Sequence, residues 1–449
     1  MAADGVLILS HCGFSFVEDL VAAIGERNLQ AWILSSKPLP EHGEQRLQVL
    51  REKASVVIST DSHELNREDV ENAIAALQRQ GHAIKGCITV WEGYRALMAH
   101  ANALLGVADL SPQCIDALRN KLGVRNALHA AGLSQVAARA LTPTVLDQLK
   151  ADGGAYFIKP GHGIASYGTF RLNQSTTWAT LEEISARVRE DTVYKSALGD
   201  GVSFIAEDYL KGTEFSFEVL VAAGQAYVVG IHEKCQITEA EGMVLEDSCT
   251  SPPSSITDAD SAAGIAWIRA VLAHLSLDWG CFHIEARFDG RRWDLIEINP
   301  RVGGSLISHS VKALNDAAGV LELWLDLLIF QANGQAHAAF LETLERLSYC
   351  PQGIAPTENA TFFRVYFASP GRIESIDIAP SKRAPVISSI LLKSGDEIEP
   401  ASREVFLGQL LWRMSREERD AELPALLQNS ASAINVQYQR SETASGARL

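Results

Sequence analysis

Positive charge is scarce in this sequence. Only 39 Lys and Arg stand against 55 Asp and Glu, a net charge of −16 over 449 residues. That balance argues against non-specific nucleic-acid binding, which needs a basic face to neutralise phosphates. It leaves phosphate ligands open, because a few local cations reverse the field inside one cleft. Long apolar runs are missing too. The most apolar helical candidate, Val320 to Phe330, carries Glu322 and Asp326 and is far shorter than the roughly 20 residues of a membrane span. The first residues do not read as a signal peptide: Asp4 precedes the apolar stretch Val6 to Leu9, and Gly13 soon ends it. No two of the seven cysteines are spaced as C-x-x-C, so reduced thiols are expected in place of a zinc site or a disulfide framework. A soluble, cytoplasmic protein with no membrane and no nucleic-acid partner is the expectation.

A hydrophobic share of 47% with 21% charged residues is that of a globular chain, and the length suggests about three domains. Val6 to Ser10, Ala31 to Ser35 and Val56 to Thr60 read as strands, with helical periodicity over Phe16 to Arg27. That alternation predicts a parallel sheet. The loop His11 to Ser15 holds one glycine, so this small Rossmann-like unit lacks a dinucleotide fingerprint. Ser111-Pro112 starts a helix whose apolar spacing continues through Leu118, Leu122 and Leu128 to a stop at Gly132. Strands are expected at Ala155 to Lys159, Ser203 to Tyr209, Glu214 to Ala222, Tyr227 to Ile231, Cys281 to Phe288 and Asp294 to Asn299. A Pro/Ser loop is expected at Ser251 to Ser255, a helix near Ala262 to Leu275, and short strands after residue 350.

The strongest chemical signal is a pair of strands. Along Cys281 to Phe288, alternation puts His283, Glu285 and Arg287 on one face; along Trp293 to Arg301, Glu297 and Asn299 share a face. A turn at Asp289-Gly290, with the tip running to Trp293, sets Glu285 opposite Glu297 and Ile284 opposite Ile298. Carboxylates so placed, about 4.5–5.5 Å apart at Cβ, repel each other. A divalent cation turns that cost into binding, and two Glu with an Asn carbonyl are hard oxygen ligands suited to magnesium held with phosphates. A solvated polar strand face is the alternative. Phe157 to Gly168 reads as a strand ending in Lys159, followed by a Gly/Ser loop that lets backbone N–H groups approach phosphate oxygens. It is not a Walker A loop, since no Gly-Lys-Ser/Thr ends it. An ordinary flexible turn is the competing reading. In Glu207 to Glu214 and the strand that follows, Glu214, Ser216 and Glu218 point away from Phe215, Phe217 and Val219.

The order of these motifs resembles the ATP-grasp superfamily, within it most closely the carboxylate–amine ligases that join L-amino acids, which often make dipeptides or dipeptide antibiotics. Phe362 to Arg372 and Lys393 to Asp396 are similar to the extra C-terminal region of that group. The resemblance implies an α/β fold with an α+β lid: a Rossmann-like front domain at 1–110, linker helices and a mobile lid at 111–205, a nucleotide-binding core with the metal strands at 206–335, and a C-terminal extension at 336–449. It implies ATP, with Lys121 and Lys159 on its phosphates and a closing loop containing Gly163, Ser166, Tyr167 and Gly168. Glu207, Asp208, Tyr209 and Leu210 would form the hinge at adenine, with Glu214 on the ribose. Glu285, Glu297 and Asn299 would hold Mg2+, or Mn2+ in its place. Arg301 would be the substrate-facing arginine that steadies a tetrahedral oxyanion. His283 would reach phosphate or substrate, or else be a packed structural histidine. Glu233-Lys234 reads better as a surface pair than as part of the site, and Arg287 as a substrate contact or a partner for a carboxylate. The implied reaction passes through an acyl phosphate to an amide, with ADP and phosphate released. Small carboxylates and amines are the expected partners, and a homodimer is the prior. A segment reading Val-Gly-Gly-Ser-Leu after Arg301 and the absence of a run of consecutive glycines in the phosphate loop count against a biotin carboxylase. A ligase for a non-amino-acid carboxylate and a non-catalytic ATP-binding protein are the alternatives.

Overall fold

The computed structural model describes every residue except 1, 15, 40–42, 163–166, 191–197, 199–201, 241–242, 332–333, 400–404 and 440–449. Strands β1 (Asp4–Ser10), β2 (Gln30–Ser35), β3 (Val56–Ser59) and β4 (Ala83–Ile88) form a parallel sheet in the order β3-β2-β1-β4. The central strands β1 and β2 are buried and largely apolar, as expected of strands covered on both faces. Strand β4 was not expected; Lys85 and Gly86 interrupt its apolar pattern. The helix anticipated over 111–132 is two helices, Pro112–Arg119 and Lys121–Ala130. Asn120 stops the first and caps the second by accepting from the Gly123 amide at 3.0 Å.

Strands β5 (Ala138–Ala140), β6 (Tyr156–Pro160), β7 (Phe170–Arg171) and β8 (Phe204–Asp208) form a second sheet, ordered β5-β8-β6-β7. It has its own apolar core, with Leu146, Ile158, Leu181 and Phe204 among its members. The main sheet begins with β9 (Thr213–Ala222), β10 (Gln225–Ala240), β11 (Met243–Ser251), β12 (Gly280–Phe288) and β13 (Trp293–Asn299). Strand β10 outruns the stretch read from the sequence, and β11 is an addition. Then come β14 (Asn359–Ala368), β15 (Gly371–Ile378), β16 (Ile387–Ile390), β17 (Glu397–Ile398), β18 (Val405–Ser415) and β19 (Ile434–Tyr438). Strands β14 and β18 are not the short strands expected there. They extend the main sheet, whose order is β13-β12-β9-β10-β11-β14-β18-β16.

Val320–Ile329 is a core helix: Leu321, Trp324, Leu325 and Leu328 pack with the front sheet in one cluster. Among the described residues no helix is long and apolar enough to cross a membrane.

Candidate functional site

The site is built on the β12–β13 hairpin. Glu285 pairs with Glu297, Ile284 with Ile298 and His283 with Asn299. The apolar partners face the core beneath, which fixes the register from below. The tip closes one residue earlier than expected, at Phe288–Trp293, and a bulge between Glu285 and Ala286 leaves Ile296 as the extra residue. That bulge turns the Ile296 carbonyl toward the second sheet, where it accepts from Lys159 Nζ at 3.2 Å.

The two facing carboxylates each have a cation of their own. Lys121 Nζ lies 2.7 Å from Glu297 Oε2, and Asn299 Nδ2 donates to Glu297 Oε1 at 2.9 Å. Lys234 Nζ is 3.5 Å from Glu285 Oε1, and His283 Nε2 is 3.1 Å from the same oxygen. Burial alone would raise both carboxyls. The Lys121 ammonium more than offsets it at Glu297, and Lys234 with His283 holds Glu285 well below the usual range. Both therefore stay ionised, and adjacent ionised oxygens fit a magnesium ion. Among the described residues no three His, Cys, Asp or Glu side chains converge to hold a metal by themselves, so a cation here also needs Asn299 and oxygens from a bound ligand.

Lys234 is buried, not on the surface as expected from sequence, and Glu233 is buried with it. Their side chains part to opposite faces of β10: Glu233 Oε2 accepts from the Ser254 and Ser255 amides at 2.6 and 2.9 Å. His283 is clamped. Its Nδ1 lies 2.9 and 3.0 Å from the two oxygens of the fully buried Glu218. Burial works against the imidazolium, yet Glu218 and Glu285 push the ring up to about 9, and Glu218 falls to about 2. His283 is thus held between Glu218 and Glu285.

On the second sheet Lys159 and Glu207 are 2.7 Å apart, and Arg125 Nε is 3.0 Å from Glu207. Arg125 also reaches Asp294 at 2.9 Å and the Leu295 carbonyl. It thereby ties the Lys121–Ala130 helix to both sheets. Burial would raise Glu207, but Lys159 and Arg125 hold it down to about 2. Its carboxylate is thus occupied. The Tyr209 ring lies between the Arg171 and Arg287 guanidinium groups, at 4.9 and 5.3 Å. Arg287 donates to the Leu210 carbonyl at 2.6 Å and lies 3.1 Å from Glu214, so it pairs with a carboxylate. Asp208 ends β8 in an exposed position. The Lys121 amide donates to the Gly161 carbonyl at 3.0 Å, joining its helix to the start of the phosphate loop. Tyr167 is buried and Gly168 adopts φ +70°; Gly163 and Ser166 lie outside the described residues.

Arg301 is 3.1 Å from Glu92, on a short turn just after β4. Nearby, Arg95 donates to the Pro300 carbonyl at 2.7 Å and to Asp109 at 2.9 Å. The front unit therefore contributes directly to the setting of Arg301. Glu92, Arg119, Lys121, Arg125, Glu207 and Glu297 line one pocket. Glu92, Arg125 and the role of Glu218 were not read from the sequence. Only Glu218 left a signal there, as the third polar residue on the Glu214 face.

Residues 155–309, which include the β12–β13 hairpin, match the ATP-grasp domain family. The chain as a whole adopts the fold of solved ATP-grasp proteins. An L-amino acid ligase from Bacillus licheniformis superposes with a TM-score of 0.71 at 17% identity, over 98% of this chain and 100% of that one. Phosphoribosylglycinamide synthetase from Anaerococcus prevotii gives 0.65 at 13%, over 97% and 100%. The biotin carboxylase domain of Hydrogenobacter thermophilus 2-oxoglutarate carboxylase, solved with MgADP, gives 0.66 at 13%, over 96% and 90%. No curated protein matches the chain closely in sequence.

Proposed function

We propose that this chain is an ATP-dependent carboxylate–amine ligase that joins an acid, itself an amino acid or similar to one, to an L-amino acid, with release of ADP and phosphate. The observation that carries this reading is the pair of opposed glutamates, Glu285 and Glu297, with Lys121 and Lys234 against them and Lys159 on the neighbouring Ile296 carbonyl. Its likeness to an L-amino acid ligase over nearly the whole of both chains supports the substrate class. Magnesium bound at these glutamates and Asn299 would offset charge as the γ-phosphoryl group passes to a carboxylate. The lysines orient phosphate oxygens, and Arg301 steadies the oxyanion formed when an amine attacks the acyl phosphate. Glu92 holds the Arg301 guanidinium in place. The second sheet, with its own core, acts as the lid that keeps water from the acyl phosphate. Dipeptides, including dipeptide antibiotics, are the product class.

The test is phosphate release over a full matrix of amino-acid pairs, with mass spectrometry of the products. Magnesium-dependent formation of ADP, phosphate and an amide is expected. AMP with pyrophosphate would refute the acyl-phosphate route. Turnover only with other carboxylates would move the first substrate outside the amino acids.

A further inference from the structure

Two glutamates face each other across the β12–β13 ladder, where like charges repel. Two lysines from outside the hairpin reach them. Lys121, at the start of its helix, occupies Glu297 Oε2, while Asn299 takes Oε1. Lys234, on β10, approaches Glu285 Oε1 alongside His283. Behind them Glu218 pairs with His283 and Glu214 with Arg287. Each of these four carboxylates thus already has a basic side chain against it.

A bare divalent cation entering this cluster would add two positive charges to a site whose carboxylates already face basic side chains. It would also have to strip both ammonium groups from their carboxylates with no anion to receive them. Nucleotide phosphates change both terms: they bring negative charge, and they give the ammonium groups a destination. Lysine suits such an exchange because its charge rides on a flexible four-carbon stem.

We propose that Lys121 and Lys234 stand in for the divalent cation in the ligand-free protein, so that metal enters only together with nucleotide phosphates. This rests on reading Glu285, Glu297 and Asn299 as the metal ligands. The lysines are then placeholders first and phosphate ligands second. The shortage of protein ligands at the site points the same way, since phosphate oxygens are needed to complete the coordination.

The test is Mn2+ binding to the full chain, followed by electron paramagnetic resonance, with Mn2+ alone and with Mn2+ plus ADP. The wild-type protein should bind Mn2+ at least ~10-fold more tightly with ADP present. Lys121→Met should tighten binding of Mn2+ alone by about tenfold while weakening ADP, a pair of opposite effects that general damage to the fold would not produce. Lys234→Met should do the same and serves as the second variant should the first not fold. In either variant, Mn2+ alone should also raise the thermal midpoint. Equal affinity of the wild-type protein for Mn2+ with and without ADP would overturn the proposal and leave the metal ligands standing. So would variants that gain nothing. Failure to bind Mn2+ even with ADP would instead bring down the reading of the metal site, and the proposal with it.

Discussion

His283 should carry a proton at neutral pH, and this can be measured directly. Its ring sits between Glu218 and Glu285 with contacts of 2.9 to 3.1 Å. Burial disfavours the imidazolium, but the two carboxylates win and bring the ring to about 9 against an ordinary value of 6.5. A rise of that size corresponds to about 3 kcal/mol of preference for the charged ring, at 1.36 kcal/mol per pH unit. The charged form is the one the fold favours. Its contribution to stability is therefore complete below pH 6.5 and lost as pH climbs through about 9. With 13C-labelled histidine, the His283 resonance should titrate near 9 in the wild-type protein. In Glu218→Gln, where the larger of the two favourable contributions is gone, the midpoint should fall by at least ~1 unit. The loss of stability between pH 6.5 and 9 should shrink with it. A wild-type midpoint at or below 6.5 would refute the argument, because it would mean that desolvation outweighs both carboxylates.

Glu297→Gln should lower ATP-dependent product formation on the order of 100-fold or more and abolish Mn2+ binding in the presence of ADP; wild-type turnover would sink the metal assignment. Arg301→Ala should cut the ligation rate by about 100- to 1,000-fold while leaving ADP affinity, read by calorimetry, close to wild type; an equal loss of nucleotide affinity would move Arg301 into the nucleotide site. Arg125→Met removes the guanidinium beside the buried Asp294, leaving it to Ser134 and the Gln135 amide, and leaves Glu207 to Lys159, so it should destabilise the chain by about 3 kcal/mol in thermal or denaturant unfolding. Gly212→Ala forces a side chain into φ +107° and against the Phe288 carbonyl; soluble yield should drop sharply, whereas substitution at the open Gly290 tip is tolerated better.

The Glu285–Glu297 pairing was legible because alternation along both strands and the Ile284–Ile298 pair leave one register that buries the apolar side. The bulge was not, since Leu295, Ile296 and Ile298 are all apolar and do not say which is the extra residue. The break at Asn120 was hidden by apolar spacing that runs on from Leu118 to Leu122. Lys234 was misjudged for a deeper reason. Alternation tells which face a residue takes, but its partner, Glu285, lies on a strand that is not even its neighbour in the sheet. Arg125 is similar: its carboxylates come from β8 and β13, and no local pattern announces either.

Arg95 and Glu92 belong by sequence to the front α/β unit, yet they grip Pro300 and Arg301 at the end of the β12–β13 hairpin. A hybrid enzyme assembled by exchanging residues 1–110 would therefore not be a neutral swap of modules. It would replace the brace behind Arg301. Recombination between relatives should succeed only where the Glu92–Arg95 turn, Asp109 and the Pro300–Arg301 step travel as one inherited block.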